Sequence, residues 1–280
     1  MEVIRARHAG ACYGVQRALD MANEVLEACE RVHTLGPLIH NPKVVADLEA
    51  RGARVAASPE DVDGGTVVIR SHGVTPQVRA HLLDRGLDVV DATCPHVARA
   101  QKAAADLATD GCRVIVLGEA DHPEVEGLRA CAEAAGGKVD VVGSPDDIPE
   151  GLYDPIGVVA QTTQMRENLD AVVSALRERG LEPRVEKTIC FATRQRQDAA
   201  AELASRVDAM VVIGGRNSSN TTRLAEICSQ SCARAFHIES CDELQASWFE
   251  DCSTVGVTAG ASTPEEQINA VVEMLEAIRA

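Results

Sequence analysis

Short apolar runs alternate along this chain with longer segments in which apolar residues recur every three or four positions. Residues 66–69, 114–117 and 210–213 are such runs, and each is bounded by turn-forming residues, as buried strands are. The intervening segments, such as residues 13–31, have the periodicity of amphipathic helices. Strands that alternate with helices predict an α/β fold with parallel sheets and right-handed crossovers.

The alternation is organised as one pattern used three times. In each copy a cysteine at a strand-to-helix turn precedes, by 24 positions, a glycine that closes the next strand, and the pairs are Cys12 with Gly36, Cys94 with Gly118 and Cys190 with Gly214. We interpret the copies as three α/β lobes covering residues 12–93, 94–189 and 190–280.

The third lobe ends on a helix that has no strand after it. The missing strand is found at the start of the chain, so residues 1–11 are predicted to complete the third lobe. The pattern then closes on itself. It predicts three similar lobes with small parallel sheets around a pseudo-threefold axis, with their functional loops at the carboxyl ends of the strands.

Composition narrows the classes of function. The chain has 27 basic and 43 acidic residues and a formal net charge of −16, which disfavours nucleic acid as a partner because phosphate neutralisation needs a basic face. No apolar run approaches the length of a membrane span, and no secretory signal opens the sequence. We therefore expect a cytoplasmic protein without a membrane partner, whose 10 cysteines are thiols or metal ligands.

Three cysteines in equivalent positions indicate a site rather than three small core residues. Cys12, Cys94 and Cys190 fall at the predicted functional ends of the strands, where they would converge. Zinc and a 4Fe-4S cluster both remain open at this point, because the long spacings match no local metal motif. A cluster held by three cysteines would leave one iron without a protein ligand and able to act on a substrate. The other seven cysteines do not recur in register and are interpreted as buried small hydrophobes, although Cys228 and Cys232 stand four apart on one helix.

The loops that follow the strands add polar groups to this site. Four positions after the three glycines stand His40, His122 and Ser218, and Glu124 and Asn220 follow two positions later in the second and third copies. The other strand ends carry His72, the Thr162-Thr163 pair and Ser262. Imidazoles, hydroxyls and amides at helix starts suit an anion such as phosphate, and Glu124 is the natural proton donor.

A structural interpretation exists for each of these residues. Ser218, Ser219 and Glu124 stand near helix starts, where such residues are ordinary caps. The remaining histidines, His8, His33, His81, His96 and His237, are expected to be exposed turn residues.

Taken in order, the motifs resemble those of the LytB/IspH family, the 4-hydroxy-3-methylbut-2-enyl diphosphate reductases. They are HAGACYGVQRAL, GPLIHNP, RSHGV, DATCPHV, GEADHPEVEG, AQTT, TICFAT followed by RQ, NSSN and GAS. The resemblance covers essentially the whole chain, from Cys12 to Ser262. Ala11 is a departure, since the family often has Phe there, and ATRQRQ is this chain's form of the family's ATxxRQ.

The resemblance implies an oxidoreductase with one 4Fe-4S cluster held by Cys12, Cys94 and Cys190. The family removes a hydroxyl from its allylic diphosphate to form isopentenyl and dimethylallyl diphosphate, which is the last step of the methylerythritol phosphate route to isoprenoids. Thr162 would contact the substrate hydroxyl, Glu124 and His122 would supply protons, and a ferredoxin or flavodoxin would supply electrons. The implied diphosphate ligands are His40, His72, Ser218, Ser219, Asn220 and Ser262.

Two other classes of protein use parts of the same residue set. A zinc hydrolase acting on a phosphorylated substrate would need the histidines and Glu124 but no reductant. An iron–sulfur sensor would keep the three cysteines but would have no use for Thr162, Asn220 and Glu124.

Overall fold

The computed structural model describes residues 1–278 and contains alternating strands and helices. Every strand pairing in the described residues is parallel, which confirms the predicted α/β class. In chain order the elements are β1 (Glu2–Arg5), α1 (Tyr13–Ala28), β2 (Val32–Leu35), α2 (Pro42–Ala50), β3 (Ala53–Ala56), β4 (Thr66–Ile69), α3 (Pro76–Asp84), β5 (Asp88–Asp91), α4 (Pro95–Thr109), β6 (Arg113–Leu117), α5 (Pro123–Ala134), β7 (Val139–Val142), β8 (Ile156–Ala160), α6 (Arg166–Glu178), β9 (Arg184–Val185), α7 (Phe191–Ala204), β10 (Ala209–Ile213), α8 (Ser219–Ser231), β11 (Ala235–Ile238), β12 (Thr254–Ala259) and α9 (Glu265–Ile278).

The strands form three four-stranded sheets with one shared topology. Their orders are β3-β2-β4-β5, β7-β6-β8-β9 and β11-β10-β12-β1. In each sheet the two central strands are the ones that the sequence places before the functional loops. Strand β1 pairs with β12, so it occupies in the third sheet the place that β5 and β9 occupy in the other two. The repeat identified in the sequence is therefore a repeat of sheet topology.

The chain divides into two compact units, each with more contacts inside it than to the other. The terminal unit comprises residues 1–15, 40–44 and 191 onward, and it contains the third sheet. The middle unit comprises residues 16–39 and 45–190, and it contains the first and second sheets. The limits of the three predicted lobes stay a prediction.

Aliphatic side chains fill the core of each sheet. In the second sheet, Ile115, Leu117 and Val158 pack under α6, while Val114, Val116 and other side chains pack under α4 and α5. In the third sheet, Phe236 stacks on Trp248 with ring centroids 4.3 Å apart. Apolar burial on both faces explains why these strands read as continuous apolar runs.

Several smaller expectations are corrected. His33 lies in the middle of β2 and is 2% exposed, so the interpretation as an exposed turn residue was wrong. All 10 cysteines are free thiols, but of the seven interpreted as core residues only Cys112, Cys228 and Cys232 are buried. Strand β9, which leads towards Cys190, is only 2 residues long.

No helix among residues 1–278 combines the length and the apolar character that crossing a membrane would require.

Gly157 sets how closely α4 approaches the second sheet. A Cβ built on this residue of β8 would lie 2.7 and 2.9 Å from the two δ-methyl groups of Leu107, which is fully buried. We expect Gly157→Ala to lower the free energy of unfolding by about 1–3 kcal/mol through overpacking, as measured by urea denaturation. Gly143→Ala is the control, because its Cβ would meet only an Asp147 carboxylate oxygen at 3.3 Å. Equal unfolding midpoints for the two variants would contradict this account.

Candidate active site

The three repeated cysteines stand at the starts of three helices. Cys12 directly precedes α1, Cys94 is the N-cap of α4, and Cys190 directly precedes α7. Each is half-buried and carries a free thiol. A helix start favours negative charge, since its unpaired N–H groups and its dipole point towards the ligand.

Each cysteine is held by its own backbone N–H group in the same way. The N–H donates to the carbonyl of the second residue after a central strand, and the pairs are Cys12 with Ala261 (3.1 Å), Cys94 with Ser71 (2.9 Å) and Cys190 with Thr162 (2.9 Å). Strands β12, β4 and β8 end at Ala259, Ile69 and Ala160. The equivalence that the sequence suggested by spacing is thus an equivalence of hydrogen bonding.

In the terminal unit, the loop that carries His40 is tied to the loop that carries Ser262. The Ser262 hydroxyl donates to the His40 carbonyl at 3.0 Å. Asn41 then donates from its amide nitrogen to the Ser262 carbonyl at 2.8 Å and to Gln267 Oε1 at 3.0 Å. Its amide oxygen accepts the Val44 N–H at 3.3 Å, which caps α2. Asn41 therefore fixes two predicted diphosphate ligands at once.

The start of α8 supplies the other polar groups of the terminal unit. Ser218 is the N-cap, and its hydroxyl accepts the Thr221 N–H at 3.4 Å, so the expected capping role is real. Ser218, Ser219 and Asn220 are each less than 8% exposed. Neither amide atom of Asn220 has a hydrogen-bond partner among the described residues. An unpaired buried amide is costly, so this side chain is suited to bind a polar ligand.

In the middle unit, Glu124 and Thr162 form a buried pair. The Thr162 N–H donates to Glu124 Oε1 at 2.5 Å, and the Thr162 hydroxyl donates to Oε2 at 2.9 Å. Glu124 is 2% exposed, and burial raises its pKa to about 7 even though both hydrogen bonds from Thr162 act to lower it. The carboxyl group therefore keeps its proton to a higher pH than an exposed glutamate does, which suits a general acid.

His122 stands at the N-cap of α5, two residues before Glu124. Its Nδ1 accepts the Glu124 N–H at 3.1 Å, so in this arrangement Nδ1 carries no proton and the neutral ring carries it on Nε2. The His72 ring packs edge-to-face against the His122 ring, with centroids 5.4 Å apart. The structure thus brings together four predicted residues of this unit, which are His72, His122, Glu124 and Thr162.

The predicted residues divide between the two units. Cys12, His40, Ser218, Ser219, Asn220 and Ser262 belong to the terminal unit, and His72, Cys94, His122, Glu124, Thr162 and Cys190 belong to the middle unit. Sequence reasoning missed Asn41 and Gln267, which support these residues. Asn41 had a signal, since it follows His40 and precedes Pro42 at a helix start, whereas Gln267 lies on α9 and belongs to none of the motifs.

The donor types fit an iron–sulfur cluster and an anionic ligand. Three free thiols at equivalent helix starts are the donors that iron in such clusters takes from proteins. The buried hydroxyls and the unpaired Asn220 amide supply neutral donors for phosphate oxygens.

Comparison with known proteins gives a consistent set of relatives. Residues 3–276 match the family model described as LytB protein. The chain is 50% identical over 279 residues to a protein of Geobacter sulfurreducens, covering 99% of this chain and 97% of the relative. It is 49% identical to one of Pelobacter propionicus, covering 97% and 96%. Both relatives are named 4-hydroxy-3-methylbut-2-enyl diphosphate reductase.

Two solved structures are also similar to this chain. One, described as (E)-4-hydroxy-3-methyl-but-2-enyl diphosphate reductase, the terminal enzyme of the non-mevalonate pathway, is 41% identical. It matches with a TM-score of 0.73 over 99% of this chain and 100% of that one. The E-1-hydroxy-2-methyl-but-2-enyl-4-diphosphate reductase from Plasmodium falciparum is 26% identical and matches with a TM-score of 0.90, over 98% and 87%.

Asn41 provides a direct test of the supporting network. Asn41→Asp keeps the shape of the side chain but replaces both N–H donors with a carboxylate oxygen that faces the Ser262 carbonyl and Gln267 Oε1. We expect the free energy of unfolding to fall by about 1–3 kcal/mol in denaturant titrations, because buried acceptors lose their donor. Asn168→Asp is the control, since this half-buried side chain donates a single, exposed hydrogen bond to the Gly143 carbonyl. The network would be unimportant if both variants unfolded at the wild-type midpoint.

Proposed function

The chain belongs to the LytB family, and we propose that it is a 4-hydroxy-3-methylbut-2-enyl diphosphate reductase. The reaction removes the hydroxyl of an allylic diphosphate to give isopentenyl and dimethylallyl diphosphate, as the last step of the methylerythritol phosphate pathway. It consumes two electrons and two protons. One proton leaves with the hydroxyl as water and the other ends on carbon. The observation that carries the proposal is the buried Glu124–Thr162 pair, which places a carboxyl with a pKa of about 7 beside a hydroxyl.

The electrons require a cofactor, and we propose that Cys12, Cys94 and Cys190 hold one 4Fe-4S cluster. When bound, such a cluster supplies electrons singly and offers, at the iron without a cysteine, a Lewis acid for the substrate. The chain contributes three thiolates, each with its backbone fixed by a hydrogen bond to a strand-end carbonyl. The helix starts that follow them stabilise the added negative charge.

The substrate diphosphate would be bound by neutral and imidazole donors at the strand ends. The proposed ligands are His40, His72, Ser218, Ser219, Asn220 and Ser262. Binding would give the buried Asn220 amide the hydrogen bonds that it lacks among the described residues. These local donors must outweigh the repulsion from a net charge of −16, which short, water-excluded hydrogen bonds can do.

Protonation follows from the hydrogen bonds around Glu124. When Glu124 is protonated, its O–H can donate to Thr162 Oγ1, and the Thr162 hydroxyl is then released to donate to the departing hydroxyl of the substrate. Transfer along this line delivers one proton and leaves Glu124 as the carboxylate that accepts both Thr162 bonds. His122, whose neutral ring carries its proton on Nε2, would donate a hydrogen bond from that nitrogen within the site.

A separate one-electron carrier completes the proposal. We propose that this carrier is a protein such as a ferredoxin or flavodoxin. Reduced thiols at all three cluster positions suit a reducing compartment, and we propose a cytoplasmic location.

Loss of one cluster cysteine should remove iron. We expect Cys94→Ser, purified anaerobically, to contain far less iron and acid-labile sulfide than wild type. Cys131→Ser is the matched control, because Cys131 is also half-buried but lies within α5, away from any helix start. Wild-type protein that contains zinc and no sulfide would overturn the reductase and favour a hydrolase. A cluster whose Mössbauer spectrum does not change when the diphosphate substrate is added would favour an iron–sulfur sensor.

The pKa of Glu124 sets the pH dependence. Donation needs the protonated form, which is lost as pH rises through about 7, so we expect kcat/KM to fall over this range. Glu124→Gln should lose about 100- to 10,000-fold in turnover, since an amide holds no transferable proton. Glu126→Gln, an exposed position on the same helix, should keep the wild-type profile. Full turnover by Glu124→Gln with a viologen reductant would refute the assignment.

A further inference from the structure

Two arginines reach the loops that lead into cluster cysteines. Arg17 lies on α1, five positions after Cys12, and its Nη1 donates to the carbonyl of Thr93 at 3.2 Å. Thr93 is the residue directly before Cys94. Arg17 is half-buried, and this bond joins two elements of the middle unit that are 76 residues apart in sequence.

Arg196 makes the corresponding contact in the terminal unit. It lies on α7, six positions after Cys190, and is 5% exposed. Its Nη2 donates to the carbonyl of Gly10 at 2.9 Å, and its Nη1 donates to the carbonyl of Ala192 at 3.1 Å. One guanidinium therefore ties the loop before Cys12 to the first turn of the helix that follows Cys190.

The backbone that receives the Arg196 bond has little freedom of its own. Gly10 has a φ of +91°, and a Cβ there would lie 2.7 Å from Ile268 Cδ1. Its N–H donates to the carbonyl of Ala259 at 3.2 Å. The guanidinium binds the carbonyl oxygen of Gly10, so both polar backbone atoms of this residue are hydrogen-bonded. These bonds hold the backbone that leads into Cys12.

The two contacts follow one rule. The helix after Cys12 braces the loop before Cys94, and the helix after Cys190 braces the loop before Cys12. The third position is different, because Arg99 stands five positions after Cys94 but is exposed and makes no hydrogen bond or ion pair with another residue in the range 1–278. Arg99 has the same offset from its cysteine as Arg17 and lacks the brace.

We propose that Arg17 and Arg196 are positioning residues for the cluster, each holding a loop next to a cysteine ligand and placing a permanent positive charge beside it. The proposal rests on the proposed function only in assuming the cluster. Guanidinium stays charged at all accessible pH values and presents several donors in a rigid plane. Its charge should favour the reduced, more negative cluster, and its hydrogen bonds should hold the ligand loop.

Charge and geometry can be separated by comparing glutamine with lysine. Arg196→Gln removes the charge, whereas Arg196→Lys keeps it but cannot reproduce two planar bonds to the Gly10 and Ala192 carbonyls. We expect both variants to release iron to a chelator about tenfold faster than wild type, the usual effect of losing an outer-sphere partner. We expect the midpoint potential, from a redox titration followed by electron paramagnetic resonance, to become more negative in Arg196→Gln and to stay near wild type in Arg196→Lys.

Arg17→Gln tests the proposal without disturbing the packing of the core, because the side chain is only half-buried. It should show both effects, and Arg99→Gln should show neither. Equal iron release and equal potential in Arg17→Gln and Arg99→Gln would overturn the proposal, as would an Arg196→Lys protein that releases iron at the wild-type rate. Neither readout involves the substrate. A wild-type protein with a stable cluster and no reductase activity would instead count against the proposed function.

Discussion

The structure depends on one hydrogen bond that is made three times, from the backbone N–H of a cysteine to the carbonyl that lies two residues beyond a central strand. This bond couples the position of a thiol to the position of the polar loop that follows the same strand. A shift of one strand register in any sheet would therefore move a cysteine and its neighbouring loop together. The proposed cluster ligands and the proposed substrate ligands are consequently specified by the same backbone geometry.

The repeat, the fold class and the third sheet's N-terminal strand could be predicted because they depend on periodicity and on turn chemistry, which are local properties of the sequence. The equal spacing from Cys12, Cys94 and Cys190 to their glycines carried most of this information. What could not be predicted are contacts between distant segments. Arg196 belongs to the RQ of a motif, but the motif does not indicate that its guanidinium binds the Gly10 carbonyl, and nothing near Gln267 indicates that it holds Asn41. Buried polar networks are selected by tertiary proximity, which leaves no periodic signal.

His33 is a second example of a feature that the sequence did not predict, in this case the burial of a polar side chain. It was expected to be exposed, yet it lies within β2 and is 2% exposed, with Nε2 at 3.3 Å from the exposed carboxylate of Asp63. Glu124 is comparable, because a helix-start glutamate is ordinary and only its burial makes it chemically special. For both residues the decisive quantity is desolvation, and desolvation depends on what the rest of the chain places above them.

Strand β1 has a consequence for the order of folding. It is synthesised before the other strands of the described residues, whereas its partner β12 is synthesised after them, so Cys12 reaches its final backbone setting only once β12 has been made. The first two sheets use strands that are close in the chain and can form earlier, since short loops close at lower entropic cost. In a nascent chain, Cys94 and Cys190 would thus lie in ordered surroundings before β12 has been made and Cys12 is fixed. Assembly of the proposed cluster, which needs all three thiols, is thereby delayed until β12 has been made.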